Sequence, residues 1–153
     1  MKIIVISDTH TNTNSLQRVI DTNPGCEMIL HAGDGCGDLR RIDRKNKGFI
    51  SVKGNCDRYE DFDEEEQIIA LDGIKIFLTH GHRYNVKSTK ELLLAKSLKE
   101  NVKVCIFGHT HILHKNIMNG VLFLNPGSLG YDGSYIILDT ENPSDAQIFN
   151  INL

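Results

Sequence analysis

Five short apolar runs in this 153-residue chain end in residues able to hold a metal ion: Asp8 with His10, Asp34, Asn55, His80, and His109 with His111. Imidazoles, carboxylates and an amide oxygen form a donor set that suits Mn2+, Fe2+, Co2+, Ni2+ or Zn2+ better than Ca2+. Two of the groups are pairs separated by one residue, Asp8-Thr9-His10 and His109-Thr110-His111. In extended or turning backbone that spacing lets both side chains point the same way, so each pair can offer two ligands to one locus. Seven donors exceed what one four- to six-coordinate ion needs. Two ions sharing a bridging carboxylate would use them, and ions about 3.5–4 Å apart can clamp the attacking and leaving oxygens of a phosphoryl displacement. Charge bookkeeping agrees. Asp8 and Asp34 offset two of four positive charges and a bridging hydroxide a third, leaving a pocket suited to a phosphate anion.

The elements that must position these groups follow from the same runs. Ile3–Ile6, Met28–Leu30, Phe49–Val52, Ile74–Leu78, Val104–Phe107 and Val121–Leu124 are short and rich in Ile and Val, the pattern of buried strands. Open α/β sheets bind ligands at the carboxyl ends of their strands, where all seven donors lie. Leu16, Val19 and Ile20 form one helical face behind a polar stretch that can cap it. Ser88-Thr89-Lys90-Glu91 reads as a capping box, followed by an apolar face of Leu92, Ala95 and Leu98. A weaker helix is expected over 38–45, and the runs at 121–124, 134–139 and 147–153 suggest antiparallel strands. No repeat, low-complexity tract or linker interrupts the chain, so residues 1–153 read as a single α/β domain with enough strands for two packed sheets flanked by helices.

Composition bounds the function. A 40% hydrophobic and 24% charged chain can build a core, and a net charge of −3 argues against a surface that binds polyanions throughout. The apolar runs are far too short for a membrane span, and the first residues carry no signal-peptide cleavage region, so no membrane partner and a cytoplasmic location are expected. Cys26, Cys36, Cys56 and Cys105 contain no CxxC pair and read as reduced thiols, two of them in the core.

Taken in order, Asp8-Thr9-His10, Gly33-Asp34, Gly54-Asn55-Cys56-Asp57, His80-Gly81-His82 and Gly108-His109-Thr110-His111 resemble the motifs of the calcineurin-like metallophosphoesterase superfamily. Each is weak alone, but five in sequence are specific. The short length and the Asn-Cys-Asp variant are similar to its compact, YfcE-like prokaryotic phosphodiesterase branch. The resemblance implies a four-layer αββα sandwich, two mixed β-sheets flanked by helices, with two divalent ions at the strand ends, Mn2+ foremost and Ni2+, Co2+, Fe2+ or Zn2+ as alternatives. It implies that Asp8, His10 and His111 hold the first ion and Asn55, His80 and His109 the second, with Asp34 bridging. A metal-bound hydroxide would then attack phosphorus in line while Asn55 steadies the equatorial oxygens. Asn55, Cys56 and Asp57 are the candidates to act on substrate, and His82 is a candidate phosphate contact.

The sequence departs from the family pattern twice. Cys56 stands where most members carry histidine, and a thiol cannot serve as an imidazolium. One extra residue lengthens the Gly33-Asp34-Gly35-Cys36-Gly37-Asp38 turn, in which Asp38 is expected to orient a ligand histidine rather than to ligate. His31 is expected to make a structural hydrogen bond, His114 to lie on the surface, and Gly127 to supply unusual dihedrals in the Asn-Pro-Gly-Ser turn. The basic run 40–47 and the acidic run 60–66 read as solvated faces. The acidic run, close behind Asp57, favours a small phosphodiester over a nucleic acid. Rival readings are a phosphomonoesterase or nuclease on the same site, or a non-catalytic scaffold resembling the retromer subunit of this fold. A homodimer or homotetramer is a family expectation.

Overall fold

The computed structural model describes residues 1–59 and 63–152. β1 (Lys2–Ile6), α1 (Thr13–Thr22), β2 (Met28–His31) and β3 (Gly48–Ser51) open the chain. β4 (Glu66–Leu71), β5 (Ile74–Thr79), α2 (Glu91–Lys99), β6 (Val104–Ile106), β7 (Leu113–Met118), β8 (Val121–Pro126), β9 (Ser134–Asp139) and β10 (Gln147–Asn150) follow. They form two mixed five-stranded sheets, ordered β10-β9-β1-β2-β3 and β4-β5-β6-β8-β7. β1, β2 and β3 are parallel in the first sheet, as are β5, β6 and β8 in the second.

Side-chain alternation builds the layers. Ile3 and Val5 of β1 point between the sheets, where they join Leu30, Val52, Ile76, Leu78, Val104, Ile106, Leu122 and Leu124 in one buried cluster. Ile4 and Ile6 point the other way, onto Leu16, Val19 and Ile20 of α1. In the second sheet Phe77, Cys105 and Phe123 turn outward onto Leu93 of α2. The result is the expected αββα arrangement. Its parallel strands deliver their carboxyl ends to one edge.

Asn12 caps α1, its side chain accepting from the Ser15 N–H at 3.1 Å. Elsewhere the structure corrects the sequence reading. The expected helix over 38–45 is a 3-10 turn, Cys36–Arg40. Beyond it Lys45 and Asn46 take left-handed dihedrals, and the Asp43 N–H bonds to the Gln17 side chain. The capping box of α2 does not form. Lys90 is the N-cap without a side-chain bond, and Thr89 Oγ1 accepts from the Glu91 N–H instead. Its buried face is Leu93 with Ser97, whereas Leu92 and Leu98 are 52% and 48% exposed. The helix starts later than the box implied, and contact with the second sheet sets its rotation. The three C-terminal runs do not share a sheet: β9 and β10 pair antiparallel beside β1, while β8 lies parallel to β6 and antiparallel to β7. Three cysteines are buried rather than two, and Cys56 is exposed. Among the described residues no helix is long and apolar enough to cross a membrane.

The charge runs are not merely solvated either. Arg40 makes a two-point contact with buried Asp63, which also accepts from Ser51. Lys47 is buried and donates to the Cys26 carbonyl at 2.6 Å. Glu66 accepts from the Tyr84 hydroxyl and pairs with Lys96. Residues 60–62 of the acidic run lie outside the described residues.

Candidate metal centre

Within each sheet, backbone bonds tie neighbouring ligand-bearing turns together. The Asp8 N–H reaches the Gly33 carbonyl at 2.9 Å, His10 N–H the Asp34 carbonyl at 3.2 Å, and Gly108 N–H the His80 carbonyl at 3.0 Å. Asp8, His10, Asp34, His109 and His111 all have positive φ, between 44° and 68°. Non-glycine residues in this region carry strain that surrounding structure must over-determine, and such residues cluster at functional sites. Two glycines make room. A Cβ at Gly54 would strike the Asp34 carboxylate, and one at Gly108 would strike the Ser7 hydroxyl.

One group of donors is Asp8, His10 and His111. Asp8 Oδ2 is spoken for by the Ser7 hydroxyl at 2.5 Å and the His109 N–H at 3.2 Å. Asp8 Oδ1 is buried and accepts no hydrogen bond from the described residues, although His111 Nε2 stands 3.0 Å and His10 Nε2 3.7 Å from it. The two imidazole nitrogens are 3.4 Å apart. A second group joins Asp8, Asp34 and His80. The Ala32 carbonyl lies 2.7 Å from His80 Nδ1 and can only accept, so that nitrogen carries a proton and Nε2 is free to ligate. Nε2 is 3.4 Å from Asp34 Oδ2 and 3.1 Å from Asn55 Oδ1. Lone pairs thus converge at two neighbouring points, around an orphaned buried carboxylate oxygen. That donor set fits divalent cations.

The electrostatics of the histidines differ. Burial works against charge on His80, but the Asp34 hydrogen bond and the Asp8 and Asp34 charges outweigh it and raise its pKa. Burial likewise opposes ionisation of Asp34, yet contact with His80 holds the carboxyl below its usual range. His109 is lowered to about 4, first by burial and then by the positive charges of His80, Lys87 and His82. A neutral imidazole is the ligating form.

Residues 1–143 match the family model of the calcineurin-like phosphoesterase superfamily domain. The chain belongs to that superfamily. The probable metallophosphoesterase YsnB of Bacillus subtilis is 31% identical over 148 residues, covering 93% of this chain and 86% of that protein. The solved structure of a novel archaeal phosphodiesterase superposes with a TM-score of 0.82 at 25% identity, over 97% of this chain and 99% of the other. Vps29 of Entamoeba histolytica complexed with Zn2+ has a TM-score of 0.75 at 28% identity, over 97% and 90% of the two chains. The fold, the family and the metal-dependent phosphoesterase class expected from the motifs therefore hold.

Within this metallophosphoesterase the expected residues fall into distinct positions. Asp8, His10, Asp34, Asn55, His80 and His111 meet at the donor groups described above. His109 stands slightly apart, its ring 5.1 Å from that of His80. His82 lies 5.4 Å from the His80 ring, with a buried Nδ1 that has no partner among the described residues and with Nε2 3.8 Å from Glu65. Cys56 is exposed beside Asp34, which accepts from its backbone N–H at 2.8 Å. Partial burial and the Asp34 carboxylate raise its thiol pKa.

Asp57 does not present a free carboxylate. Its oxygens accept from the backbone N–H groups of Asp34 at 2.7 Å, Gly35 at 2.8 Å and Gly54 at 2.8 Å, stapling two ligand turns together. Asp38 accepts from the Thr9 hydroxyl at 2.6 Å and the Thr11 N–H at 3.0 Å, so it fixes the Asp8-Thr9-His10 turn rather than a ligand histidine. His31 makes the structural bonds expected of it, accepting from the Gly33 N–H and meeting Thr9 at 3.1 Å. Gly127 has φ +74° as expected, while His114 is half-buried against Phe107 rather than on the surface.

Three supporting residues escaped sequence reasoning. Asn125 donates to the Gly108 carbonyl and to Thr110 Oγ1, holding the turn that carries His109 and His111. Ser128 bonds to the Asp8 carbonyl. Tyr131 lies 5.1 Å from the His10 ring and 5.5 Å from that of His111. Only Asn125 and Ser128 left a trace, as ends of the recognised Asn-Pro-Gly-Ser turn.

Proposed function

We propose that this metallophosphoesterase hydrolyses small phosphodiesters with two divalent ions, Mn2+ foremost. The observation that carries the reading is the orphaned Asp8 Oδ1 facing two imidazole nitrogens, beside the second convergence of Asp34, Asn55 and His80. Asp8, His10 and His111 would hold one ion, Asn55, His80 and His109 the other, and Asp34 both. Bound there, the ions supply a nucleophilic water at neutral pH and offset charge on the phosphoryl oxygens. The chain's own residues do the rest. Asp57 and Asn125 fix the turns, Asn55 offers its amide to a phosphoryl oxygen, and the exposed thiol of Cys56 is the proton source nearest the leaving group. A groove of about 200 Å3 beside His10, Asp34 and Cys56 admits a small ester.

The test is hydrolysis of bis-p-nitrophenyl phosphate with and without Mn2+, alongside p-nitrophenyl phosphate. Metal-dependent turnover favouring the diester supports the reading, and a preference for the monoester replaces it with a phosphomonoesterase. The likeness to zinc-complexed Vps29 favours a second reading, an interaction scaffold that retains metal. Metal binding without turnover by several divalent ions would establish that one.

A further inference from the structure

The largely apolar pocket behind the His109-Thr110-His111 turn has no part in the chemistry above. It holds about 260 Å3 and is floored by Val86 and Phe107. Ile112 is 69% exposed and forms an apolar lip. Thr110, between two candidate ligands, lines its near wall. Polar groups gather around one ring. Lys90 Nζ lies 5.8 Å from the Phe107 centroid, and the His114 ring is likewise 5.8 Å away. His114 Nε2 is buried and has no hydrogen-bond partner among the described residues. Lys90 donates to the Val86 carbonyl at 3.1 Å, which leaves two of its three N–H groups to spend. Lys87 lines the same pocket, and its charge is among those acting on His109. The pocket is therefore joined to the metal centre by a cation and by the ligand turn itself.

We propose that this pocket is the subsite for one ester arm of the substrate, and that the arm is a flat apolar group ending in a carboxylate or another anionic oxygen. The apolar body replaces water over Val86, Phe107 and Ile112, the kind of concave, mainly apolar lining with a few placed polar groups that binds small ligands. The anionic end pairs with Lys90 and satisfies His114 Nε2, and an unpaired buried nitrogen is costly until it finds such a partner. Lys87 sits towards the phosphoryl group. This inference rests on the phosphodiesterase reading and adds the chemistry of the arm it selects.

Three diesters sharing the p-nitrophenolate leaving group test it, with methyl, phenyl or 4-carboxyphenyl as the retained arm. With Mn2+, kcat/KM should rise about tenfold from methyl to phenyl and about tenfold again to 4-carboxyphenyl, the scale set by apolar burial and by a hydrogen bond to a charged group. Ile112→Glu should erase the phenyl gain, and Lys90→Met only the carboxylate gain, with the methyl ester hydrolysed as before in both. In the metal-free protein, benzoate should shift the His114 ring resonances, and should fail to do so in Lys90→Met. Unchanged ratios among the three esters in both variants, with turnover intact, would overturn the subsite alone. No turnover of even the methyl ester would overturn the phosphodiesterase reading and the subsite with it, whereas benzoate leaving His114 unmoved would count against the subsite without touching that reading.

Discussion

Replacing Asp57 by Asn separates a positioning carboxylate from one that acts on substrate. Two backbone N–H groups, of Asp34 and Gly54, converge on Oδ2, and the Gly35 N–H meets Oδ1. An asparagine can keep its carbonyl oxygen on the first pair, but its NH2 must then face the Gly35 N–H, donor against donor. One charge-assisted bond is lost outright and two become neutral. Taking roughly 1.5–2 kcal/mol for a hydrogen bond to a charged group, the lower part of the usual range, against about 1 for a neutral one, the loss is about 3 kcal/mol. For a chain of this size each kcal/mol lowers Tm by about 3 °C, so thermal unfolding without metal should fall by about 9 °C. Asp34 and Asn55 sit on the stapled turns, so Mn2+ affinity measured by calorimetry should drop about 10–100-fold, as it does when groups supporting ligands are removed. Saturating Mn2+ should then restore most of kcat, because the carboxylate meets backbone and not substrate. A variant that melts and binds Mn2+ like the parent would refute the staple. One that binds normally but loses kcat at saturation would return Asp57 to a catalytic role.

The other expectations follow from equally local facts. Gly54→Ala should abolish tight Mn2+ binding while the two-sheet core still melts cooperatively, since the three atoms nearest its Cβ all belong to Asp34; calorimetry with circular dichroism checks both halves. Diesters with nitrophenol-like leaving groups should turn over faster than alkyl esters, because a thiol stands in place of an imidazole; Cys56→His should narrow that gap, and an unchanged leaving-group dependence would remove Cys56 from the proton path. Burial lowers the pKa of His31, so the unfolded chain takes up the proton first as pH falls. The stability His31 contributes is therefore full above the unfolded value near ~6.5 and is lost below it, at up to about 1.4 kcal/mol per pH unit. Chemical denaturation of the parent and of His31→Gln between pH 8 and 5 should show their difference shrinking on acidification.

The sequence made the core legible because its strands are short, β-branched and fully apolar. Ile3–Ile6 and Val104–Ile106 could hardly lie anywhere but between two layers. β4 and β7 were missed because they lie at sheet edges. Leu113–Met118 carries His, Lys and Asn and is mostly exposed, so its partner β8 reveals it and its own pattern does not. The rotation of α2 was misjudged for a related reason. Four leucines and an alanine in nine residues leave the choice of face to packing against Phe77 and Phe123. The ligands were legible by type and spacing. What escaped was the apparatus that aims them, because a backbone N–H leaves no mark in a sequence.

That apparatus bears on the choice between enzyme and scaffold. Five of the seven candidate ligands sit in the left-handed region, each at a cost of order 1–3 kcal/mol. Asp38, Asp57, Asn125 and Ser128 are the side chains that hold them there. A surface used only for docking gains nothing from this arrangement, which aims donors inward around an orphaned Asp8 oxygen. A retained metal alone would not decide the matter, since Vps29 also takes up zinc. The strain does discriminate. If the turns exist to support catalysis, Asn125→Ala should cost activity at saturating Mn2+ well beyond its cost in stability, by freeing the His109-Thr110-His111 turn. If they serve only to hold metal for docking, metal affinity should fall with no turnover to lose.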